Sequence, residues 1–238
     1  MLIQPIETII FDLDGTLRHN LPSADDVQYE FALQHGVRDT PGKQDLGARW
    51  AHYYWAQSAD FFADMKRFGS MNDTFWTQYA YRYLLALMLP EARANELAPP
   101  MFQHMKDTFD PQSHVYPCVP ETLQSFKDAG YTLGMVSNRS EPCQKECEQL
   151  GLLGFFDFTY VAAEVDAWKP DPRIFNRALE TSGSPPDRAI YVGDNYYADI
   201  LGARNAGLQP VLLDPKGLFP EAACQILQTI RELGDILL

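Results

Sequence analysis

The sequence predicts an α/β fold, a doubly wound parallel sheet interrupted after its first strand by an inserted α-helical domain. Three observations predict it. Five short apolar segments (residues 6–11, 131–137, 158–162, 189–192 and 209–213) have the unbroken apolar character of parallel strands buried on both faces. Helical patterns at 120–129, 141–150, 172–181 and 197–206 separate them, and each runs into a glycine (Gly130, Gly151, Gly183, Gly207) placed as a helix stop. Between residues 17 and 115 no strand pattern occurs, and the segment is crowded with aromatic residues.

In chain order, the first strand ends abruptly at Asp12-Leu13-Asp14-Gly15-Thr16. The next segment carries helix-like stretches at 24–35, 42–65, 72–89 and 98–107, with Tyr, Phe and Trp at helical spacing that suits a packed core. It is too long for a connection and long enough for a small domain. Residues 1–17 and 115–238 are therefore assigned to an α/β core, and 18–114 to a helical domain inserted in it. From about residue 115 strand and helix alternate to the end, as a doubly wound sheet requires. The chain is expected to cross between the domains near 17–21 and 111–117.

Composition bounds the function. The 238 residues include 19 Lys+Arg and 32 Asp+Glu, a net charge of −13. That balance argues against nucleic acid or an anionic membrane as partner, since both need clustered basic residues. No apolar run approaches the roughly 18 residues that span a bilayer. Residues 1–5 lack the basic start of a secretory signal. Cys118, Cys143, Cys147 and Cys224 are too few for a disulfide framework, and Cys143 and Cys147, though four apart, have no partners completing a metal site. A soluble, cytoplasmic protein is expected, as a monomer or homodimer.

Ligands of open parallel sheets bind beyond the carboxyl ends of the strands. The first strand delivers Asp12 and Asp14 there, the second Ser137 and Asn138, the third is followed by Lys169-Pro170, and the fourth delivers Gly193-Asp194-Asn195, with Asp199 five residues past Asp194. So many carboxylates repel one another unless a cation sits among them, and hard oxygen ligands suit Mg²⁺. Asp12 and Asp14, two apart in extended chain, point the same way while Leu13 points into the fold. One can attack while the other moves a proton. Ser137 and nearby N–H groups could hold phosphate oxygens, Lys169 would neutralise charge, and Gly15 permits the sharp turn. Arg18, His19 and Arg139 flank these segments and are candidates to face the cleft. His52, Lys66, Arg67 and His104 read as solvated or satisfied.

These four segments, in this order, resemble motifs I to IV of the haloacid dehalogenase (HAD) superfamily: Asp12-Leu13-Asp14-Gly15-Thr16, Ser137, Lys169-Pro170, and Gly193-Asp194-Asn195-Tyr196-Tyr197-Ala198-Asp199. The resemblance spans the whole chain, and the insertion resembles that superfamily's C1-type cap. It implies a HAD-like (Rossmannoid) core. Asp12 would be the nucleophile and a Mg²⁺ ligand. Asp14 would be the general acid/base, with its backbone carbonyl also on Mg²⁺. Ser137 and the Asn138 backbone would bind the phosphoryl group, Lys169 would stabilise the aspartyl-phosphate, and Asp194 would bind Mg²⁺. Asp199 would support Lys169 or the metal, and Thr16 would sit near Asp14. Arg18 is counted with the substrate-binding residues. The activity implied is a Mg²⁺-dependent phosphatase acting on a small phosphorylated metabolite. Rivals are a 2-haloacid dehalogenase, which lacks the second motif I carboxylate and needs no metal, a phosphomutase, and a non-catalytic phosphate-binding regulator.

Overall fold

The computed structural model describes residues 5–238. The expectation about a secretory signal rests on residues 1–5 and falls almost wholly outside that range. The chain forms two compact units, one holding the residues up to His19 and from His114 onward, the other Asn20–Ser113.

In chain order, β1 (Thr8–Phe11) lies in the first unit, and β2 (His19–Leu21) leads out of it. The second unit is built from α1 (Ala24–Gln34), α2 (Lys43–Trp55), α3 (Ala59–Phe68), α4 (Asp73–Ala86) and α5 (Glu91–Thr108). β3 (Gln112–His114) pairs with β2 in a two-stranded ribbon and brings the chain back. Then come α6 (Cys118–Asp128), β4 (Thr132–Ser137), α7 (Gln144–Gln149), β5 (Phe158–Val161), α8 (Ala162–Val165), α9 (Pro172–Ser182) and β6 (Ala189–Gly193). A wide π turn at Tyr196–Ile200 leads into α10 (Leu201–Asn205), followed by β7 (Gln209–Leu213), β8 (Gln225–Leu227) and α11 (Arg231–Leu237).

The six-stranded sheet has the order β5-β4-β1-β6-β7-β8, with every pair parallel. β1 is central, and the chain builds outward from it first on one side and then on the other. The carboxyl ends of β1, β4 and β6 therefore lie side by side at the switch point, where such sheets bind ligands. Alternation along each strand feeds two cores. Ile9, Phe11, Met135, Ile190 and Val192 pack with Val119, Leu123 and Phe126 of α6, with Leu233 of α11 and with Ile230 just before it. Ile10, Val136 and Tyr191 pack on the other face with Ile174, Phe175 and Ala178 of α9.

The five expected strands are present, the first starting at Thr8 and not at Ile6. The four glycines placed as helix stops all have positive φ, between 70° and 87°. Other expectations are corrected. The stretch 42–65 is two helices, because Gln57 turns left-handed (φ 57°) and Ser58 starts α3 by accepting the Phe61 N–H at 3.1 Å. α5, expected over 98–107, begins seven residues earlier at Glu91 and runs through Pro99-Pro100. β2, β3, β8 and α11 are too short or too polar to leave a pattern.

The helical unit has a largely aromatic core. Tyr54, Phe61, Phe75 and Tyr79 pack together with Trp50 and Trp55, and Tyr29, Phe31 and Tyr83 join aliphatic residues of α4 and α5. One charge is buried there. Asp64 accepts from Arg82 Nε at 2.7 Å, Arg82 Nη2 at 3.1 Å and Tyr54 Oη at 3.0 Å, which satisfies a carboxylate that would otherwise be costly.

Candidate active site

Asp12 immediately follows β1, and its N–H continues the ladder to the Val192 carbonyl at 2.8 Å. This pins the carboxylate beside the end of β6. Lys169, 2% exposed, donates from Nζ to Asp12 Oδ1 at 2.6 Å, to Asp199 Oδ1 at 2.7 Å and to Tyr191 Oη at 2.9 Å. An ammonium has three hydrogens, and all three are placed. Tyr191 gives its own hydrogen to the Val136 carbonyl at 2.8 Å, so it faces Lys169 as an acceptor.

Burial pushes Asp12 up to about 7, with Lys169 opposing and Asp199 and Asp14 adding to the rise. Burial works to lower Lys169, but Asp12 and Asp199 outweigh it and hold the ammonium well above its ordinary value. Asp194 is pushed well above the usual carboxylate range by burial and by the charges of Asp12 and Asp199.

Asp12, Asp194 and Asp199 present carboxylate oxygens within 4.8 Å of one another. Lys169 balances only one of these three charges, so two remain for a divalent cation. The backbone is shaped around the cluster. Gly15 has φ 91°, and a Cβ there would overlap the Asp194 carboxylate; a Cβ on Gly193 would overlap that of Asp199. The donor set is hard oxygen throughout, so the residues present fit Mg²⁺. The Asp14 carboxylate, expected among the metal ligands, lies outside this cluster.

Asp14 has different company. Arg139 grips it with Nε on Oδ2 and Nη2 on Oδ1, both at 2.6 Å, and Arg18 Nη1 adds a bond to Oδ1 at 2.9 Å. Glu146 on α7 braces both guanidiniums, at 2.5 Å from Arg139 and 3.0 Å from Arg18. Ser137 Oγ, at the end of β4, reaches Asp14 Oδ2 at 3.4 Å.

Three expected positions read differently. Thr16, expected near Asp14, instead points its hydroxyl to Asp12 Oδ2 at 3.4 Å and Asp194 Oδ1 at 3.3 Å. The Asn138 side chain staples the motif III loop, accepting the Lys169 N–H at 2.6 Å and donating to the Lys169 carbonyl at 2.9 Å. Arg18, counted as substrate-binding, is paired with Asp14 and Glu146. Tyr191 and Glu146 were not foreseen. A lone hydroxyl inside a strand buried on both faces must find a partner, which was the available signal for Tyr191. His19, also a candidate, packs against Tyr116.

A six-stranded parallel sheet with a buried lysine shared between carboxylates at its switch point defines an α/β enzyme of the HAD fold. The chain belongs to the haloacid dehalogenase-like hydrolases, whose family model matches residues 6–207. It is 29% identical over 239 residues to a phosphoserine phosphatase of Thermus thermophilus, covering 91% of each chain. It is 31% identical over 221 residues to human haloacid dehalogenase-like hydrolase domain-containing protein 3, covering 90% of this chain and 85% of that one. Among solved structures, a HAD phosphatase from Thermococcus onnurineus is similar with a TM-score of 0.56 at 23% identity, covering 98% of both chains. The L-2-haloacid dehalogenase RSc1362 is similar with a TM-score of 0.61 at 19% identity, covering 98% of this chain and 99% of that one. Both share the fold.

Proposed function

We propose that this chain is a Mg²⁺-dependent phosphatase that hydrolyses a small phosphorylated metabolite through an aspartyl-phosphate on Asp12. The observation that carries the reading is the pairing of a lysine-held Asp12 with a second carboxylate, Asp14, two residues on, beside three carboxylates that Lys169 alone does not neutralise. A phosphoserine phosphatase and a pyrophosphatase among the relatives support phosphate chemistry.

Asp12 Oδ1 is occupied by Lys169, whereas among the described residues Oδ2 carries only the long bond from Thr16, so Oδ2 is the oxygen available to attack phosphorus. The P–O bond to the leaving group breaks as the new P–O bond to Asp12 forms, and Asp14 delivers a proton to the departing oxygen. Proton delivery requires Asp14 to disengage from Arg139. In the second half, water attacks phosphorus, Asp14 takes its proton and Asp12 is released. Ser137 would hold a phosphoryl oxygen, and Lys169 would keep Asp12 oriented and balance its charge. Asp12, the Asp14 carbonyl and Asp194 would hold Mg²⁺, which supplies positive charge against the carboxylates and the phosphoryl oxygens when bound. Asp199 supports Lys169.

The helical unit Asn20–Ser113 is assigned the part of a substrate-selecting cap. Among the described residues no helix is long and apolar enough to cross a membrane; a cytoplasmic placement is part of the proposal. The test is hydrolysis of p-nitrophenyl phosphate with Mg²⁺ and with chelator, beside halide release from 2-chloropropionate. Mg²⁺-dependent phosphate release with no halide supports the reading. Metal-independent halide release would assign the dehalogenase alternative. A panel of sugar phosphates, nucleoside monophosphates, phosphoglycolate, phosphoserine and pyrophosphate then identifies the substrate.

A further inference from the structure

The helical unit holds a cavity of about 530 Å³ whose lining comes entirely from its own residues. It is a groove open to solvent on one side, and its volume falls in the range of small-molecule sites. Its walls are largely aromatic and apolar, with Trp55, Trp76, Phe102, Met105 and Phe109 among them. Trp55, Trp76 and Tyr79 meet with ring centroids 5.3–5.8 Å apart and form one corner.

Two polar groups in this lining have unused hydrogen-bonding capacity among the described residues. Gln28 is only 6% exposed, and its carboxamide makes no hydrogen bond among the described residues. Tyr79, equally buried, accepts from Trp55 Nε1 at 3.3 Å, while its own hydrogen has no acceptor among the described residues. Neither group is a buried orphan: both border the groove, so their unused hydrogen-bonding capacity is open to a bound molecule. The charged lining residues, Lys106 and Asp73, neutralise each other at 2.8 Å and are exposed, so the cavity offers no net charge to an ion.

We propose that this cavity is a binding site for an uncharged, ring-bearing small molecule with an amide-like polar edge. The ring would stack among Trp55, Trp76 and Phe102, and the polar edge would pair with the Gln28 carboxamide and the Tyr79 hydroxyl. Such a moiety could come from the leaving group of a substrate or from a separate ligand. The site stands apart from the phosphatase reading, because its test reads binding and not turnover.

The probe is benzamide, with toluene as the same ring lacking the polar edge and benzylammonium as a charged control. The indole N–H signals of Trp55 and Trp76 are followed by NMR in the full chain, with Trp168 as an internal reference in the other unit. Saturable shifts of Trp55 and Trp76 with benzamide, none at Trp168 and none with benzylammonium are expected. Gln28→Leu should weaken benzamide at least about 5-fold and leave toluene unchanged; Tyr79→Phe, which keeps the ring, should weaken it in the same sense. Failure of benzamide and toluene alike to shift the two indoles in wild type overturns the proposal. So does an equal loss of both ligands in Gln28→Leu with an unaltered melting temperature. Competition of benzamide with p-nitrophenyl phosphate supports the site and assigns it to a leaving group; binding without competition supports it for a separate ligand.

Discussion

Lys169 is the residue on which the candidate site turns. Three acceptors surround its ammonium, and two are carboxylates that would repel each other without it. Breaking such a buried group is far more costly than its net contribution, since a partner left alone keeps its desolvation penalty. Tyr191→Phe is the gentlest test, as it removes one acceptor and keeps the ring. Losing one charge-assisted bond of about 1.5 kcal/mol should lower kcat about 10-fold with little change in KM. In a Lys169→Met background the same substitution should cost nothing further; additive losses in that double-mutant cycle would show that Tyr191 acts elsewhere. Asp194 gives the opposite sign. Its carboxyl, raised in the fold above its ordinary 3.8, costs the metal-free protein stability as pH rises past that value. Asp194→Asn should therefore melt higher than metal-free wild type, by roughly 2–4 °C per kcal/mol gained. It should also lose most of the rise that Mg²⁺ gives wild type. An unchanged Mg²⁺ response, read by calorimetry, would remove Asp194 from the metal site.

At the scale of the element, local chemistry decided what could be read. Strands β1, β4, β6 and β7 were legible because both faces are buried, so each is a nearly pure apolar run closed by a polar residue. Asp12, Ser137 and Asp194 were legible for the same reason, since they stand where those runs stop. The break between α2 and α3 was not, because Gln57, which turns left-handed there, carries no ordinary turn signature. Ser58 was a visible cap only in hindsight of that break. Ser58→Ala removes its bond to the Phe61 N–H and should cost about 1 kcal/mol, a fall of about 2–4 °C in Tm. An unaltered Tm would mean that the α3 start is fixed by packing alone. The Arg139–Asp14–Arg18–Glu146 network was invisible for a different reason. Arg139 lies 125 residues from Asp14, and no local pattern announces a pairing made only when β4 docks on β1.

For the whole molecule, a chain carrying −13 has to hold an anion. The buried ammonium of Lys169 lies at one sheet edge beside three clustered carboxylates, and a divalent cation held by them would reverse the local sign whatever the sum over the surface. The alternation of strand and helix, and the long aromatic insertion, were readable across the full length because they repeat a single physical pattern. The cavity inside the helical unit was not, since the aromatic spacing that signals a packed core is the same spacing that lines a pocket. Replacing residues 20–113 by a short linker should broaden substrate selectivity while Mg²⁺ binding, followed calorimetrically, persists. A folded capless chain that retains its selectivity would contradict the assignment of that unit.

The most direct test of the central claim is acid quench of wild type during turnover of a phosphate ester with Mg²⁺, followed by mass spectrometry of the peptide containing Asp12, beside the same measurement on Asp12→Asn. A phosphoryl group on Asp12 in wild type is predicted. Its absence in Asp12→Asn should coincide with a loss of kcat of at least about 1,000-fold. Turnover without any phosphoryl group on the protein, and an active Asp12→Asn, would contradict the account.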